Sequence, residues 1–394
     1  MDAALAAIVA APEPAAPAGA LSLLLADFLG CVRASAEMPP GSFADDGVAG
    51  VVALLALRSS AQDRDDIDWR SLHHPGSVIW PVVVALAAAH DLPGDLAERA
   101  AARGYLTAAT AADLLGSSHR AAWHVTATAG ALGAAAAASV LLGAGAHEQE
   151  RALSLAAANA GGLARAARER RGAAGFNRAA AATLGLASAR AGVAGAAVLD
   201  AAFDGPGGMR ETMSGPTEPG DVRVRDGLTE AAPRFLPVSG FLQGAVVGAA
   251  RARAALAGDL VSLRIGLTAG AVPLVDGSDA GPWWDARTSA LRAWAAASPS
   301  AVERAGPLDG RTDLASVEVS DVPVGHARVR AATDVGEVDL LVAPTTLADP
   351  DAPSALAVKW TGILGGPGTD LAAQSREALT SSGRPGRLVD WLAS

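Results

Sequence analysis

Between Leu21 and Ala202 the chain runs through one Ala/Leu/Val segment of helical length after another, each ended by short Gly, Pro or Asp punctuation. That texture predicts helices throughout the stretch. Hydrophobic residues make up 51% of the chain but aromatics only 4%, so the helices must pack closely through small side chains. Ala20 to Arg33 reads as the first helix, Pro81 as the opening of PVVVALAAAH, and Asp95 as the cap of DLAERAAARGYLTAATAADLL. Gly143 to Gly145 is expected to end the segment after His124. Gly130, Gly133, Gly192 and Gly195 are expected where helices cross most closely.

At 394 residues the chain exceeds what one hydrophobic core usually holds, so two domains are expected. A Gly/Pro-rich connection from Gly205 to Gly220 breaks the helical texture, and after Val238 the pattern changes. One helix, GFLQGAVVGAARARAALAG, is followed by SLRIGL, ASVEVS, HARVRAA and EVDLLVA. Their alternating apolar positions predict half-buried strands in a small α+β domain. From Ala352 the helical texture returns and ends in RLVDWLAS, which suits packing back on the first domain. The expected class is mainly α, with a helical domain over 1–232 rejoined by 345–394, and an α+β domain over 233–344. No internal repeat is visible.

A net charge of −10 without a basic run argues against a nucleic-acid surface and points to a small-molecule partner. The single cysteine, Cys31, excludes an internal disulfide framework and a multi-cysteine metal cluster, which fits a reducing compartment and a cytoplasmic address. MDAALAAIVAAPEPAAPAGALSLLL has no basic residue before its apolar part and makes a poor signal peptide. Ala127 to Ala146 is too rich in Ala and Gly for a membrane span and reads as a buried helix. Lys359 stands alone against thirty arginines. That bias limits proton chemistry, since arginine binds anions but stays charged, whereas a buried lysine can act as a base. Codon preference in a GC-rich genome is the competing reading of that bias.

Three groups of residues can carry chemistry. Asp63, Asp65, Asp66 and Asp68 crowd into DRDDID, just before Trp69, His73, His74, Pro75 and Gly76. Carboxylates beside imidazoles can fix a tautomer and set basicity for proton abstraction, although the segment also reads as a solvated acidic loop before a helix. Its D-x-D-D run resembles the acid motif of class II terpene cyclases, but too few aromatics are present to line a carbocation cavity. The Gly and terminal Glu of a calcium loop are missing. The second group is AAWHVTATAG, where His124 on an apolar helix is expected to be buried and neutral; a satisfied core histidine is the competing reading. The third is ARAARERRGAAGFNRAAAA, with Arg165, Arg168, Arg170, Arg171 and Arg178. Arg178, followed by apolar residues, is expected to face inward and the others to be surface charges.

In order along the chain, HPGSVIWPVVVALAAAHDLPGDLAERAAARGY, AWHVTATAGALGAAAAASVLLG and SARAGVAGAAVL resemble the MmgE/PrpD family, which includes 2-methylcitrate dehydratase and cis-aconitate decarboxylase. Members show an acidic stretch before His-Pro-Gly, a Gly-Tyr on the next helix (here Gly104 and Tyr105), and Trp-His-x-Thr before an Ala-rich helix. The resemblance covers most of 20–200 and, more faintly, the rest, where PRFLPVSG and KWTGILGGPGTD are similar to later family segments. It implies a helical domain built from both chain ends, a smaller α+β lid, a cleft between them and a homodimer. It also implies that Asp63 matches the first acid of the active-site loop, His74 the histidine of His-Pro-Gly, and His124 the histidine after tryptophan.

The departures from the pattern are specific. Arg178 stands near the family's active-site lysine position, Arg234 where the lid-opening lysine is placed, Ile67 or Asp68 in place of a threonine or histidine, and Gln243 in place of a lid histidine. The resulting expectation is a cofactor-independent lyase or isomerase that removes a proton beside a carboxylate or carbonyl. His124 and His74 serve as base and acid and Asp63 orients one imidazole. Arg178 or Arg234 binds the anion, and Asp66 and Trp123 complete the substrate-binding set. Two alternatives stand beside it: an isomerase or cyclase of specialised metabolism on the same fold, and a catalytically silent dimeric binding protein.

Overall fold

The computed structural model describes residues 2–14, 19–38, 47–169, 173–215, 222–236, 238–277, 284–299 and 311–388. They form two compact units, one of 1–233 with 360–394 and the other of 234–359. Arg170, Arg171, 216–221 and 389–394 lie outside the described residues.

The first unit opens with α1 (Ala3–Ala10), α2 (Ala20–Ala34) and α3 (Gly47–Ser60). The strand β1 (Ile67–Asp68) is followed by α4 (Gly76–His90), α5 (Gly94–Ala122), α6 (Val125–Leu141), α7 (Ala146–Asn159), α8 (Ala164–Arg168), α9 (Ala173–Val193), α10 (Met209–Ser214) and the strand β2 (Ala231–Ala232). The second unit contains α11 (Gln243–Ala255), β3 (Leu260–Leu267), α12 (Val272–Val275), α13 (Ala286–Ala296), β4 (Ala315–Val319), β5 (Ala327–Thr333) and β6 (Glu337–Val342). The division between units falls inside α14 (Ala352–Leu364), and α15 (Leu371–Ala378) belongs to the first unit.

Several sequence expectations are corrected at the helix ends. A helix precedes Ala20: Asp2 caps α1, its carboxylate accepting from the Leu5 N–H at 3.2 Å. Pro81 lies inside α4, which begins five residues earlier at Gly76. Asp95 sits in the first turn of α5, and Pro93 holds the cap position. His124 is the residue immediately before α6, with extended backbone, and not a member of the helix.

The all-Ala stretch of α6 is buried along nearly its whole length, packed against α4, α5, α7 and α9. Side chains this small bury little area each, so cohesion depends on close backbone approach. A Cβ placed on Gly133 would lie 2.8 Å from the Gly104 carbonyl oxygen and 2.9 Å from Ala108 Cβ, so α5 and α6 meet backbone to backbone. Gly192 meets α7 in the same way, with the Glu148 carbonyl oxygen 2.7 Å from a Cβ. Gly130 lies against Val78. Gly195 makes no close contact; it adopts φ +77° after the end of α9, so its role is conformational. Gly185, not singled out in the sequence, is among the tightest crossings: a Cβ there would run into Ala134 and lie 2.7 Å from the Ala135 nitrogen. α15 packs on α2, and Gly30 of α2 leaves room for the buried Trp360 indole.

In the second unit a four-stranded sheet has the order β4-β3-β5-β6, with β3 and β4 parallel and the other pairs antiparallel. Helices α11 and α13 pack on it around Val246, Ala249, Leu263, Ile265, Leu291 and Val329. The four alternating sequence segments correspond to these four strands.

Candidate active site in the helical unit

The acidic segment is a tight turn that leads into β1 and α4. Asp63 takes φ +55° and Leu72 φ +58°, so the chain reverses twice within ten residues. Asp68 pairs with His73 across an isolated bridge, its N–H donating to the His73 carbonyl at 2.9 Å, and β1 pairs with β2. Within that frame the Asp68 carboxylate is taken up by Ser71 and Arg225. Its Oδ1 accepts from the Ser71 N–H (2.8 Å) and hydroxyl (2.6 Å), and its Oδ2 accepts from the Arg225 guanidinium at 2.7 Å. Arg225 also reaches Glu230 and Asp113. Burial raises the Asp68 carboxyl, but His73 and Arg225 outweigh it and hold the group below its usual range. Burial lowers His73 to about 4, so near neutral pH this ring is uncharged and Arg225 supplies the counter-charge. This network fastens the turn to 222–230.

Asp66 joins three elements. Both carboxyl oxygens accept from the Gly76 N–H, the first residue of α4, at 3.0 and 3.1 Å, and Oδ2 accepts from the Tyr105 hydroxyl of α5 at 2.7 Å. Burial, reinforced by Asp65, raises Asp66 to about 8 despite these donors, so at pH 7 the neutral acid predominates. Its backbone carbonyl accepts from His74 Nδ1 at 2.7 Å. Asp66 is therefore a support of the site through its backbone, its side chain being taken up by α4 and α5.

The two expected imidazoles belong to one neighbourhood. The His74 N–H donates to Thr126 Oγ1, in the first turn of α6, at 3.1 Å. Two residues before that threonine, His124 donates its backbone N–H to the Gly162 carbonyl at 2.8 Å. Its ring is buried, and burial, with the positive charges of Arg178 and His74 adding and Asp65 and Asp63 opposing, lowers it to about 3. A neutral ring results, capable of giving or taking a hydrogen bond near pH 7.

Arg178, in the second turn of α9, is buried and lies 3.4 Å from Asp65 Oδ2, which is itself 4.0 Å from His74 Nδ1. Arg178 Nε makes no hydrogen bond among the described residues, so the guanidinium keeps donor capacity for a carboxylate. Arg165 and Arg168 lie on the exposed side of α8. Asp63 is half-buried and acts on His124 electrostatically; the acid held between Arg178 and His74 is Asp65. Trp123 is half-buried and stacks on His119 with ring centroids 6.5 Å apart, while His119 Nε2 meets Thr128 Oγ1 at 2.7 Å.

Arg234, the first residue of the second unit, is buried. Gln243 is fully used by the backbone: its amide oxygen accepts from the Leu236 N–H at 3.0 Å, and its amide nitrogen donates to the Leu236 and Val238 carbonyls at 2.9 and 3.0 Å.

Sequence reasoning passed over Asp65, Asn177 and Thr126 as individual site residues. Asp65 was visible as one of four acids, and Asn177 precedes Arg178, but neither position carried a periodic signal for the direction of its side chain. Asn177 Nδ2 lies 3.3 Å from His124 Nδ1. Among the described residues no group of three or more His, Cys, Asp or Glu is arranged to hold a metal ion, and no helix is long and apolar enough to cross a membrane.

No curated protein matches the chain. The MmgE/PrpD N-terminal domain matches residues 48–221, a span that contains every residue of the cluster from Asp63 to Arg178. Over that span the chain carries an MmgE/PrpD N-terminal domain, and the mainly helical architecture described above is consistent with the MmgE/PrpD fold.

Proposed function

We propose that the chain is a cofactor-independent lyase- or isomerase-type enzyme that removes a proton beside a carboxylate or carbonyl. The MmgE/PrpD N-terminal domain fits a dehydratase-like function. The observation that carries the reading is the convergence of two imidazoles and one guanidinium: His124 is acted on electrostatically by both His74 and Arg178, and His74 is tied to the first turn of α6 through Thr126. In this reading the histidines move the proton and Arg178 binds the substrate anion and its enolate-like transition state. Asp65 balances Arg178, and Asp63 biases the electrostatics of His124. The substrate is a small carboxylate or carbonyl compound.

One observation favours an isomerase or cyclase over a dehydratase. Residue 178 is an arginine, a side chain that binds anions rather than acting as a proton donor, and Gln243 is committed to the 236–238 backbone, so neither supplies an acid for a leaving group. Isomerisation or cyclisation requires only that the imidazole pair return the proton it took.

The test is exchange of substrate C–H protons with deuterated water, followed by NMR for a panel of di- and tricarboxylates and their keto analogues. Exchange with wild-type protein that falls by about 100-fold or more in both His74→Ala and His124→Ala is expected. Exchange that persists unchanged in both variants would remove the proton-transfer reading. Binding of a panel member without exchange would point instead to a silent relative.

A further inference from the structure

The hydrogen-bond partners of the two site histidines are of opposite kinds. His74 Nδ1 faces the Asp66 backbone carbonyl at 2.7 Å. A carbonyl oxygen only accepts, so in neutral His74 the proton sits on Nδ1 and the lone pair on Nε2. His124 Nδ1 faces the side-chain amide nitrogen of Asn177 at 3.3 Å. An amide nitrogen only donates, so neutral His124 carries its lone pair on Nδ1 and its proton on Nε2.

The orientation of the Asn177 amide follows from its other neighbour. Asn177 Nδ2 also lies 3.4 Å from the Leu163 carbonyl oxygen. Reversing the amide would set two acceptors, Oδ1 and the Leu163 oxygen, against each other, whereas the NH2 group has one hydrogen for each partner. The loop that brings Leu163 there is fixed on the same helix start. Gly162, at φ +119°, accepts from the His124 N–H, and a Cβ at Gly162 would come within 3.1 Å of both Asn177 Nδ2 and Ala127 Cβ. Trp123 and Leu163 form an isolated bridge beside it. Loop, helix start and Asn177 thus form one assembly around the Nδ1 edge of His124.

We propose that Asn177 is a positioning residue that holds His124 as the Nε2–H tautomer, opposite to that of His74, and so divides the work between the two rings. His74 presents a lone pair and is the base; His124 presents an N–H and is the hydrogen-bond donor. The order reverses the assignment expected from sequence, in which His124 was the base. The division of roles rests on the proton-transfer reading above, while the tautomers themselves do not. In the step, the C–H bond beside the carbonyl or carboxylate breaks and its proton passes to His74 Nε2. The electron pair moves onto the substrate oxygen, where the His124 Nε2–H hydrogen bond stabilises the charge. His74 then returns its proton to carbon, at the same or a neighbouring position.

The full chain carrying ring-15N histidine tests the tautomers directly, by two-bond 15N–1H correlation at pH 7 with His74→Gln and His124→Gln spectra used only for assignment. The expected wild-type spectrum shows His124 with Nε2 protonated and His74 with Nδ1 protonated. In Asn177→Asp the carboxylate only accepts, so the proton of His124 moves to Nδ1 and its two nitrogens exchange chemical-shift ranges; Asn177→Leu gives a mixture. A wild-type His124 protonated on Nδ1, or a His124 pattern identical in all three proteins, overturns the proposal. Because the spectra need no substrate, a carboxylate panel that shows no exchange defeats the functional reading while leaving the tautomer result standing.

Discussion

Arg178 and Asp65 pair at 3.4 Å with both side chains almost wholly removed from solvent, 5% and 3% exposed. Neither residue is near the other in sequence, and their pairing ties α9 to the turn before α4. Removing one partner leaves the other charge buried and uncompensated, a change that typically costs about 3–5 kcal/mol. Asp65→Asn is therefore expected to lower the unfolding free energy by that amount, read in urea as a lower midpoint with an unchanged slope. The double variant Asp65→Leu, Arg178→Leu recovers most of the loss, because two apolar groups need no mutual compensation. Equal destabilisation in the single and double variants would show that the pair does not act as a unit.

Stability should peak near pH 6 to 7. His73, His119 and His124 are lowered by burial from 6.5 to about 4, 4 and 3, so on unfolding each takes up a proton between its folded value and 6.5. Stability is full above the unfolded value and falls as the pH drops. Asp66 has the opposite sign: raised from 3.8 to about 8, it is protonated in the folded state and loses its proton on unfolding, so its contribution falls as the pH rises toward 8. Three protons taken up against one released give a limiting slope of about 2.7 kcal/mol per pH unit between roughly pH 4.5 and 6. Glu98 and Asp113, both raised by burial, flatten the lower end. Chemical denaturation across pH 4 to 8.5 measures the curve, and a monotonic rise toward pH 8 would contradict the state assigned to Asp66.

Two glycine-to-alanine changes should have opposite signs. At Gly185 a Cβ meets Ala134 and the Ala135 backbone, with nothing flexible to yield, so Gly185→Ala is expected to cost about 1–3 kcal/mol by overpacking. At Gly362, inside α14, nothing lies within 4 Å of a Cβ and φ is ordinary. Gly362→Ala is expected to stabilise by about 0.5–1 kcal/mol through helix propensity and a less disordered unfolded chain. Thermal melts of the two variants provide the comparison, and Gly185→Ala melting at or above wild type would refute the close approach of α6 and α9.

The sequence by itself determined what depends on local repetition. Helical texture, alternating strands, small-residue packing and the ordered motifs of the MmgE/PrpD N-terminal domain are all written in stretches of ten to thirty residues, where the period of a helix or strand fixes which side chains share a face. It also supplied the chemical inventory: the histidines, the acids of 63–68 and Arg178. Tertiary structure decided what that inventory does. The acidic turn has no period, so the direction of each carboxylate was set by partners far along the chain: Asp68 by Arg225, Asp66 by Tyr105, Asp65 by Arg178. The choice of proton-bearing nitrogen on His124 depends on Asn177, fifty-three positions later, because a neutral imidazole takes its tautomer from the group its other nitrogen meets, and only the packing of α9 on α6 brings that group there.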